Sequence, residues 1–204
     1  MRFEILIFDG FDELDAIAPY EVLRNAAQAK ADAVVELVTV DADPEITAAH
    51  GLRLRPSGQL DLKRRPDVLV VPGGGWIDRT PIGARAEAER GVIPPMIKSF
   101  HASGTVCASV CTGAMLLGAA GILKGRPATT NHGAIKDLEN FGARVIPARV
   151  VDDGSIITAA GVTSGLDLGL WLVERFFGSQ LAQKIETQME YERRGTVWRA
   201  GAGL

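Results

Sequence analysis

The amino-acid sequence predicts a single α/β domain, a three-layer sandwich in which helices cover both faces of a mostly parallel sheet. Short apolar runs alternate with longer segments whose apolar residues recur at helical spacing. The apolar runs contain few polar residues, which is typical of strands buried on both faces. With 204 residues, of which 47% are hydrophobic, the chain can bury a substantial core. We expect this domain to span residues 1–195 and a flexible, glycine-rich tail to follow over 196–204.

The order of the elements along the chain supports this architecture. The predicted strands are 2–8, 34–40, 67–75, 105–110 and 128–130, with two extended segments around an Asp-Asp-Gly turn within 143–161. The predicted helices are 14–29, 112–123, 133–142, 165–178 and 179–195, the last with Ser179 as its N-cap. Residues 83–104 are interpreted as two short helices separated by Pro94-Pro95, because proline interrupts a helix interior.

Composition and charge exclude several classes of function. The net charge of −3 gives no electrostatic basis for binding nucleic acid. No apolar segment reaches the roughly 20 residues of a membrane span, and the run before Asp9 is too short for a signal-peptide core, so we expect a cytoplasmic protein with no membrane partner. The histidines form no cluster with one another or with carboxylates, so we expect no metal and no cofactor. Cys107 and Cys111 lie too far apart along a strand for a disulfide, which fits a reducing compartment.

Cys111 lies where the strand 105–110 meets a helix of small residues. The run 109–113, Ser-Val-Cys-Thr-Gly, resembles the Gly-x-Ser-x-Gly elbow, a sharp turn that lifts a nucleophile above the sheet. Because a helix N-terminus favours an anion, the elbow predicts a thiol pKa below its ordinary value and a reactive sulfur. The alternative is a packing residue, since cysteine is among the most buried residue types. We favour packing for Cys107, which lies inside the strand.

Two more segments are predicted to reach the same edge of the sheet, because ligand sites of such sheets lie beyond the carboxyl ends of the strands. The glycines of 70–75 would bring backbone N–H groups close to a ligand, so Gly74 and Thr112 are candidate donors of an oxyanion site. The alternative for the glycines is a tight turn. In the loop 8–19, Asp15 lies in an apolar stretch, where burial would raise its pKa and let it share a proton with a thiolate. A helix N-cap is the alternative for Asp15.

His132 completes the set of candidate catalytic residues. It lies in the segment 128–133 that follows the elbow helix, and a Cys–His pair is a common way to activate a nucleophile. A loop histidine that does not reach Cys111 is the alternative. His50 and His101 are interpreted as surface residues.

These segments together resemble the ThiJ/PfpI superfamily, whose fold is that of the class I glutamine amidotransferases. The most specific stretches are 109–130 and 142–178, and the resemblance extends from about residue 3 to residue 192. Within the superfamily, the chain is most similar to the branch that holds isonitrile hydratases and the ligand-sensing halves of AraC-type regulators. The resemblance implies that Cys111 is the nucleophile, that Asp15 is the acidic residue at its sulfur, and that Thr112 and the glycine pair 73–74 face the site.

Departures from the family pattern lie around this chemical core. In the Leu-Asp-x-x-Gly-Pro motif of the hydratases, Ala18 replaces the glycine. Where those enzymes carry Thr-Thr-His-Trp, this chain has Thr-Thr-Asn-His at 129–132. The segment 76–79 brings Trp, Asp and Arg toward the expected pocket rim. A threonine follows Cys111 where the proteases and deglycases of the superfamily carry histidine, which argues against a peptidase.

The resemblance implies an enzyme that hydrates a small electrophilic molecule, with an isonitrile as the leading candidate, through a covalent intermediate on Cys111. It also implies a homodimer with a small-molecule substrate. Two alternatives remain open: a stand-alone redox or small-molecule sensor, and a glyoxalase or deglycase that acts on reactive aldehydes.

Overall fold

The computed structural model describes residues 1–29, 32–42 and 45–201. Its strands are β1 Arg2–Leu6, β2 Val34–Thr39, β3 Ile46–Thr47, β4 Arg53–Leu54, β5 Gly58–Gln59, β6 Val68–Val71, β7 Val106–Val110, β8 Pro127–Ala128, β9 Arg144–Val145, β10 Val150–Asp152, β11 Ile156–Ala159 and β12 Trp198–Arg199. Its helices are α1 Glu13–Ala29, α2 Ala84–Arg90, α3 Ile93–Ala102, α4 Gly113–Ala119, α5 Ile135–Asn140, α6 Ser164–Phe177 and α7 Ser179–Met189, and a 3-10 turn covers His132–Ala134.

The main sheet has eight strands in the order β12-β10-β11-β7-β6-β1-β2-β5. Every neighbouring pair is parallel except β10 with β11. The chain leaves β1 toward β2 on one side and later places β6 and β7 on the other side. Because crossovers between parallel strands are right-handed, this reversal puts the connecting helices on opposite faces. The predicted sandwich with a mostly parallel sheet between helices is therefore confirmed.

The helices pack in two groups. On one face α1 lies against α6 and α7, and on the other face α4 lies against α2, α3 and α5. Glycine permits the close approach of α6 to α1, because a Cβ atom on Gly169 would lie only 2.8 Å from the Cβ atom of Val22. The strands between the two groups are almost wholly apolar and buried, as β6 and β11 show along their full lengths. This packing fixes the first turn of α1 above the carboxyl end of the sheet.

Two predictions about helix ends are wrong in detail. Pro94 and Pro95 do not separate the two helices; they lie in the first turn of α3, where a backbone N–H has no helical partner to lose. Gly91 ends α2 instead, in a left-handed conformation with φ of +73°. Ser179 is the first residue of α7 and not its N-cap, which is Gly178.

The predicted tail over 196–204 includes a short strand. Trp198 and Arg199 form β12, which pairs with β10 at the edge of the main sheet. The backbone N–H of Ala200 continues the pairing by donating to the carbonyl of Asp152 at 3.0 Å. A strand of two residues is too short for its alternation to be recognised among glycines. Residues 202–204 lie outside the described residues.

Two features are absent from the described ranges. Over 1–29, 32–42 and 45–201, no helix has both the length and the apolar character needed to cross a membrane. In the same part of the chain, no three His, Cys, Asp or Glu side chains come together in a way that could hold a metal ion.

Candidate active site

The site lies where three adjacent strands of the sheet, β1, β6 and β7, end. Cys111 follows β7 directly and has φ of +55°, a left-handed backbone that residues other than glycine rarely adopt. Its backbone N–H donates to the carbonyl of Ala160 at 2.7 Å, which anchors the turn to the strand beside it. Gly113 then allows α4 to begin at once, because a Cβ atom there would lie 2.1 Å from the carbonyl oxygen of Val71. The predicted elbow between strand and helix is confirmed.

The sulfur environment differs from the prediction. Cys111 is only 6% exposed. Burial, and next the charge of Asp15, raise the pKa of the Cys111 thiol to about 12, while hydrogen bonding from the Thr112 amide and the Asn131 side chain lowers it. The prediction of a depressed pKa is therefore wrong. The reason is that α4 has only seven residues, and its N-terminal field does not outweigh the desolvation of a buried thiolate.

Asp15 lies in the first turn of α1 and is completely buried. Its Oδ2 accepts a hydrogen bond from the backbone N–H of Gly73 at 2.9 Å. Its Oδ1 has no hydrogen-bond partner in the described structure. Burial, and next the charge of Asp12, raise the pKa of Asp15 well above its ordinary value, and the smaller effects of the Gly73 N–H and the Cys111 thiol lower it. Asp15 thus holds a proton beside the sulfur at a pH where an exposed carboxyl is ionised.

The alternative role for Asp15, a helix N-cap, does not agree with these contacts. The carboxylate that serves the start of α1 is that of Asp12, whose Oδ1 accepts from the backbone N–H of Leu14 at 3.2 Å. Asp15 instead points across to Gly73 and Cys111.

The glycines after β6 hold the site together through their backbone amides. The N–H of Gly74 donates to Oγ1 of Thr112 at 3.0 Å, so the proposed oxyanion donor Gly74 already has an acceptor. Gly73 must lack a side chain, because a Cβ atom there would lie 2.4 Å from the same hydroxyl oxygen. The two amides therefore position Asp15 and Thr112. Of the two predicted oxyanion donors, Gly74 and Thr112, only the Thr112 amide faces the sulfur.

His132 does not form the predicted pair with Cys111. Its side chain is exposed at the start of the 3-10 turn. The side chain of the preceding residue, Asn131, lowers the thiol pKa instead. Before it, Thr130 donates from its hydroxyl to the Cys111 carbonyl at 2.8 Å. Asn131 was not among the predicted site residues, because the titratable His132 beside it was selected as the partner of Cys111, although the departure at 131 from the Thr-Thr-His-Trp pattern marked the position.

A cavity of about 460 Å³ adjoins the elbow. It is bounded by Thr130 and Ala160, which both contact the Cys111 backbone. Most of its lining is apolar, and polar groups at His132, Arg149 and Thr163 lie among the apolar residues Ile135, Val145, Ile146, Pro147, Ala148 and Val162.

Within the segment 76–79, Trp76 does not lie as predicted. Trp76 was expected near the pocket rim, but it is buried, and its indole N–H donates to the Asp137 carboxylate at 2.7 Å. The guanidinium of Arg85 lies 4.5 Å from the centre of the Trp76 ring. Trp76 therefore joins α2 to α5 through packing.

Comparison with known proteins agrees with this architecture. Residues 1–175 match the DJ-1/PfpI family. An isonitrile hydratase of Pseudomonas putida is 36% identical over 192 residues, which cover 94% of this chain and 78% of the relative. A deglycase of Pyrococcus horikoshii is 28% identical, covering 85% of this chain and 96% of the relative. A crystal structure of a ThiJ/PfpI family protein from Pseudomonas syringae superimposes with a TM-score of 0.83 at 30% identity, covering all of this chain and 78% of the other. The chain therefore belongs to the DJ-1/PfpI family.

Proposed function

We propose that the protein hydrates a small electrophile, with an isonitrile as the leading substrate class, through a covalent intermediate on Cys111. The observation that carries this proposal is the elbow thiol of Cys111 beside the buried carboxyl group of Asp15, whose Oδ1 accepts no hydrogen bond in the described structure. The similarity to an isonitrile hydratase supports the choice of substrate class.

The chemistry requires a nucleophile and a proton at one carbon atom. The terminal carbon of an isonitrile carries a lone pair and is also electrophilic, so sulfur adds to it while a proton is delivered to the same atom. Asp15 accepts the thiol proton as the sulfur attacks and supplies a proton to the carbon, and a thioimidate forms on Cys111. This exchange lets a buried thiol react without ionising first, which matters because its pKa is about 12.

Hydrolysis completes the cycle. Water adds to the thioimidate carbon with Asp15 as the general base, and the nitrogen takes up a proton. The carbon–sulfur bond then breaks, which returns the thiol and releases an N-substituted formamide. The Thr112 amide faces the reacting sulfur and stabilises its negative charge as it leaves.

The apolar cavity beside Thr130 and Ala160 supports a substrate with a hydrocarbon substituent. Its volume of about 460 Å³ exceeds what a small alkyl or cyclohexyl group requires. Such a substituent gains stability from burial against the apolar lining.

The direct test is conversion of cyclohexyl isonitrile to N-cyclohexylformamide, followed by chromatography. We expect turnover by the native protein and by Cys107→Ala, because Cys107 is buried within β7 and its sulfur contacts the carbonyl of Thr105. We expect no turnover by Cys111→Ala. Full activity of Cys111→Ala would exclude the covalent mechanism, and an inactive native protein would exclude the substrate class.

A second candidate function is the removal of reactive aldehydes, which the similarity to a deglycase favours. A thiol can add to the carbonyl carbon of methylglyoxal to give a hemithioacetal, so the same residues would serve. Consumption of methylglyoxal with isonitriles left untouched would favour this candidate. The redox sensor is less favoured, because the raised thiol pKa slows oxidation by peroxide.

We also propose that the protein is a homodimer. Light scattering coupled to size-exclusion chromatography tests this, with a mass of twice 21.7 kDa expected.

A further inference from the structure

Asn131 is a polar residue beside the Cys111 elbow, and the predicted mechanism does not use it. Its Oδ1 accepts a hydrogen bond from the backbone N–H of Gly133 at 3.0 Å and caps the 3-10 turn that follows. This bond fixes which end of the amide is the acceptor. The Nδ2 group, with two protons to donate, is therefore the end left for other partners.

The surroundings of Asn131 hold that Nδ2 group at the elbow. Nδ2 lies 3.3 Å from the position that a Cβ atom on Gly161 would occupy, so it packs directly on the backbone after β11. That backbone also holds the elbow, because the neighbouring Ala160 carbonyl accepts from the Cys111 N–H. Thr130, the residue before Asn131, donates to the Cys111 carbonyl. The segment 130–133 is thus fixed to both sides of the nucleophile.

Few other donors are free to act on the sulfur. The amide of Gly73 is engaged by Asp15, and that of Gly74 by Thr112. The charged groups that act on Cys111 are Asp15 and Asp12, and both oppose a negative charge on the sulfur. The Thr112 amide and the Asn131 side chain are therefore the groups that favour a thiolate at this position.

We propose that Asn131 is a further catalytic residue, whose Nδ2 group donates a hydrogen bond to the Cys111 sulfur as negative charge develops on it. The role extends the proposed function, since the same charge develops when sulfur leaves the thioimidate. Asparagine does not titrate, so this donor is present at every pH at which the protein is folded.

Asn131→Asp is the sharpest test, because aspartate keeps the acceptor for the Gly133 N–H but replaces the donor with a negative charge. We expect the rate of alkylation of Cys111 by iodoacetamide at pH 9, measured by peptide mass spectrometry, to fall at least tenfold. The matched control is Asn140→Asp, which adds the same charge at the exposed end of α5 and should leave the rate unchanged within twofold. Asn131→Ala should also slow alkylation, by about threefold or more.

Thermal unfolding distinguishes the loss of a hydrogen-bond donor from the loss of the folded structure. Because aspartate is a good N-cap, Asn131→Asp should unfold within a few degrees of the native protein. Alkylation of Asn131→Asp that is slowed less than threefold, or that is faster than in the native protein, would overturn the proposal.

The alkylation assay does not depend on turnover. If the native protein fails to hydrate isonitriles but Asn131→Asp slows alkylation, the donor role stands and the proposed function fails. If isonitriles are hydrated and alkylation is unaffected in the variant, the donor role fails and the proposed function stands.

Discussion

Replacing Asp15 with asparagine should stabilise the protein, speed alkylation of its nucleophile and abolish turnover. Asparagine has the same shape, so its side-chain oxygen can still accept from the Gly73 N–H. Its NH₂ group takes the place of the unpartnered Oδ1. The substitution therefore removes the proton and the charge while retaining the one hydrogen bond that orients the side chain.

The size of the stability effect follows from the burial of Asp15. In the unfolded chain this carboxyl ionises near pH 3.9, but in the folded protein its raised pKa keeps it protonated to higher pH. Between the two pKa values the folded state holds one more proton than the unfolded state, so stability falls as pH rises. The slope is about 1.4 kcal/mol per pH unit in the free energy of unfolding, up to the folded-state pKa. The stability of Asp15→Asn lacks this pH dependence. The difference in the free energy of unfolding between the variant and the native protein therefore grows as pH rises above about 4.

Urea unfolding of both proteins at pH 4, 5, 6 and 7 measures this difference. Alkylation of Cys111 should be faster in the variant at alkaline pH, where Asp15 can lose its proton, because its charge is the second largest cause of the raised thiol pKa and asparagine carries none. Turnover should disappear, because no group remains to exchange protons with the substrate. A stability difference that is constant from pH 4 to 7, or slower alkylation in Asp15→Asn, would refute this reasoning.

Three further predictions concern the elbow and a buried ion pair. Gly73→Ala should lower the free energy of unfolding by about 1–3 kcal/mol and abolish turnover, because its methyl group would lie 2.4 Å from the hydroxyl oxygen of Thr112. Gly58→Ala is the control: its methyl group would meet no atom within 4 Å, so the free energy of unfolding should hardly change. Alkylation of native Cys111 should accelerate about tenfold per pH unit from pH 8 to 11, since its pKa is about 12; a plateau near pH 9 would contradict this. Arg175→Ala should destabilise the protein by about 2–3 kcal/mol in urea unfolding, because it removes the cation from the carboxylate of Asp152, which is 6% exposed. Adding Asp152→Asn to this variant should recover part of the lost stability, because no unpaired charge then remains buried.

The elbow could be predicted because its cause is local. Small residues on both sides of Cys111, and a strand pattern that ends just before it, are visible without any tertiary information. The proximity of Asp15 followed from topology, since the carboxyl ends of adjacent parallel strands meet at one edge of the sheet.

Other features of the site depend on contacts in the folded structure that no local sequence pattern reveals. The direction of the thiol pKa shift depends on burial by residues far apart in the chain, and the elbow motif alone indicated the opposite sign. Whether Gly74 offers its amide to a ligand depends on the rotamer of Thr112. The choice between Asn131 and His132 depends on where a single 3-10 turn begins.

The two-residue strand β12, at the edge of the main sheet, is another feature that the local sequence pattern did not reveal. It forms by pairing with β10, a strand distant from it in the sequence. The guanidinium of Arg144 lies over the Trp198 ring, 5.5 Å from the ring centre. A glycine-rich composition around it suggested a flexible tail.

The proposed function requires a bond between a substrate carbon and the sulfur of Cys111. Intact-protein mass spectrometry after rapid acid quench of the native protein with cyclohexyl isonitrile tests it directly. We expect a transient mass increase of one isonitrile molecule, located on the peptide that carries Cys111 and absent from Cys111→Ala. Turnover without any such adduct, or the same adduct in Cys111→Ala, would contradict it.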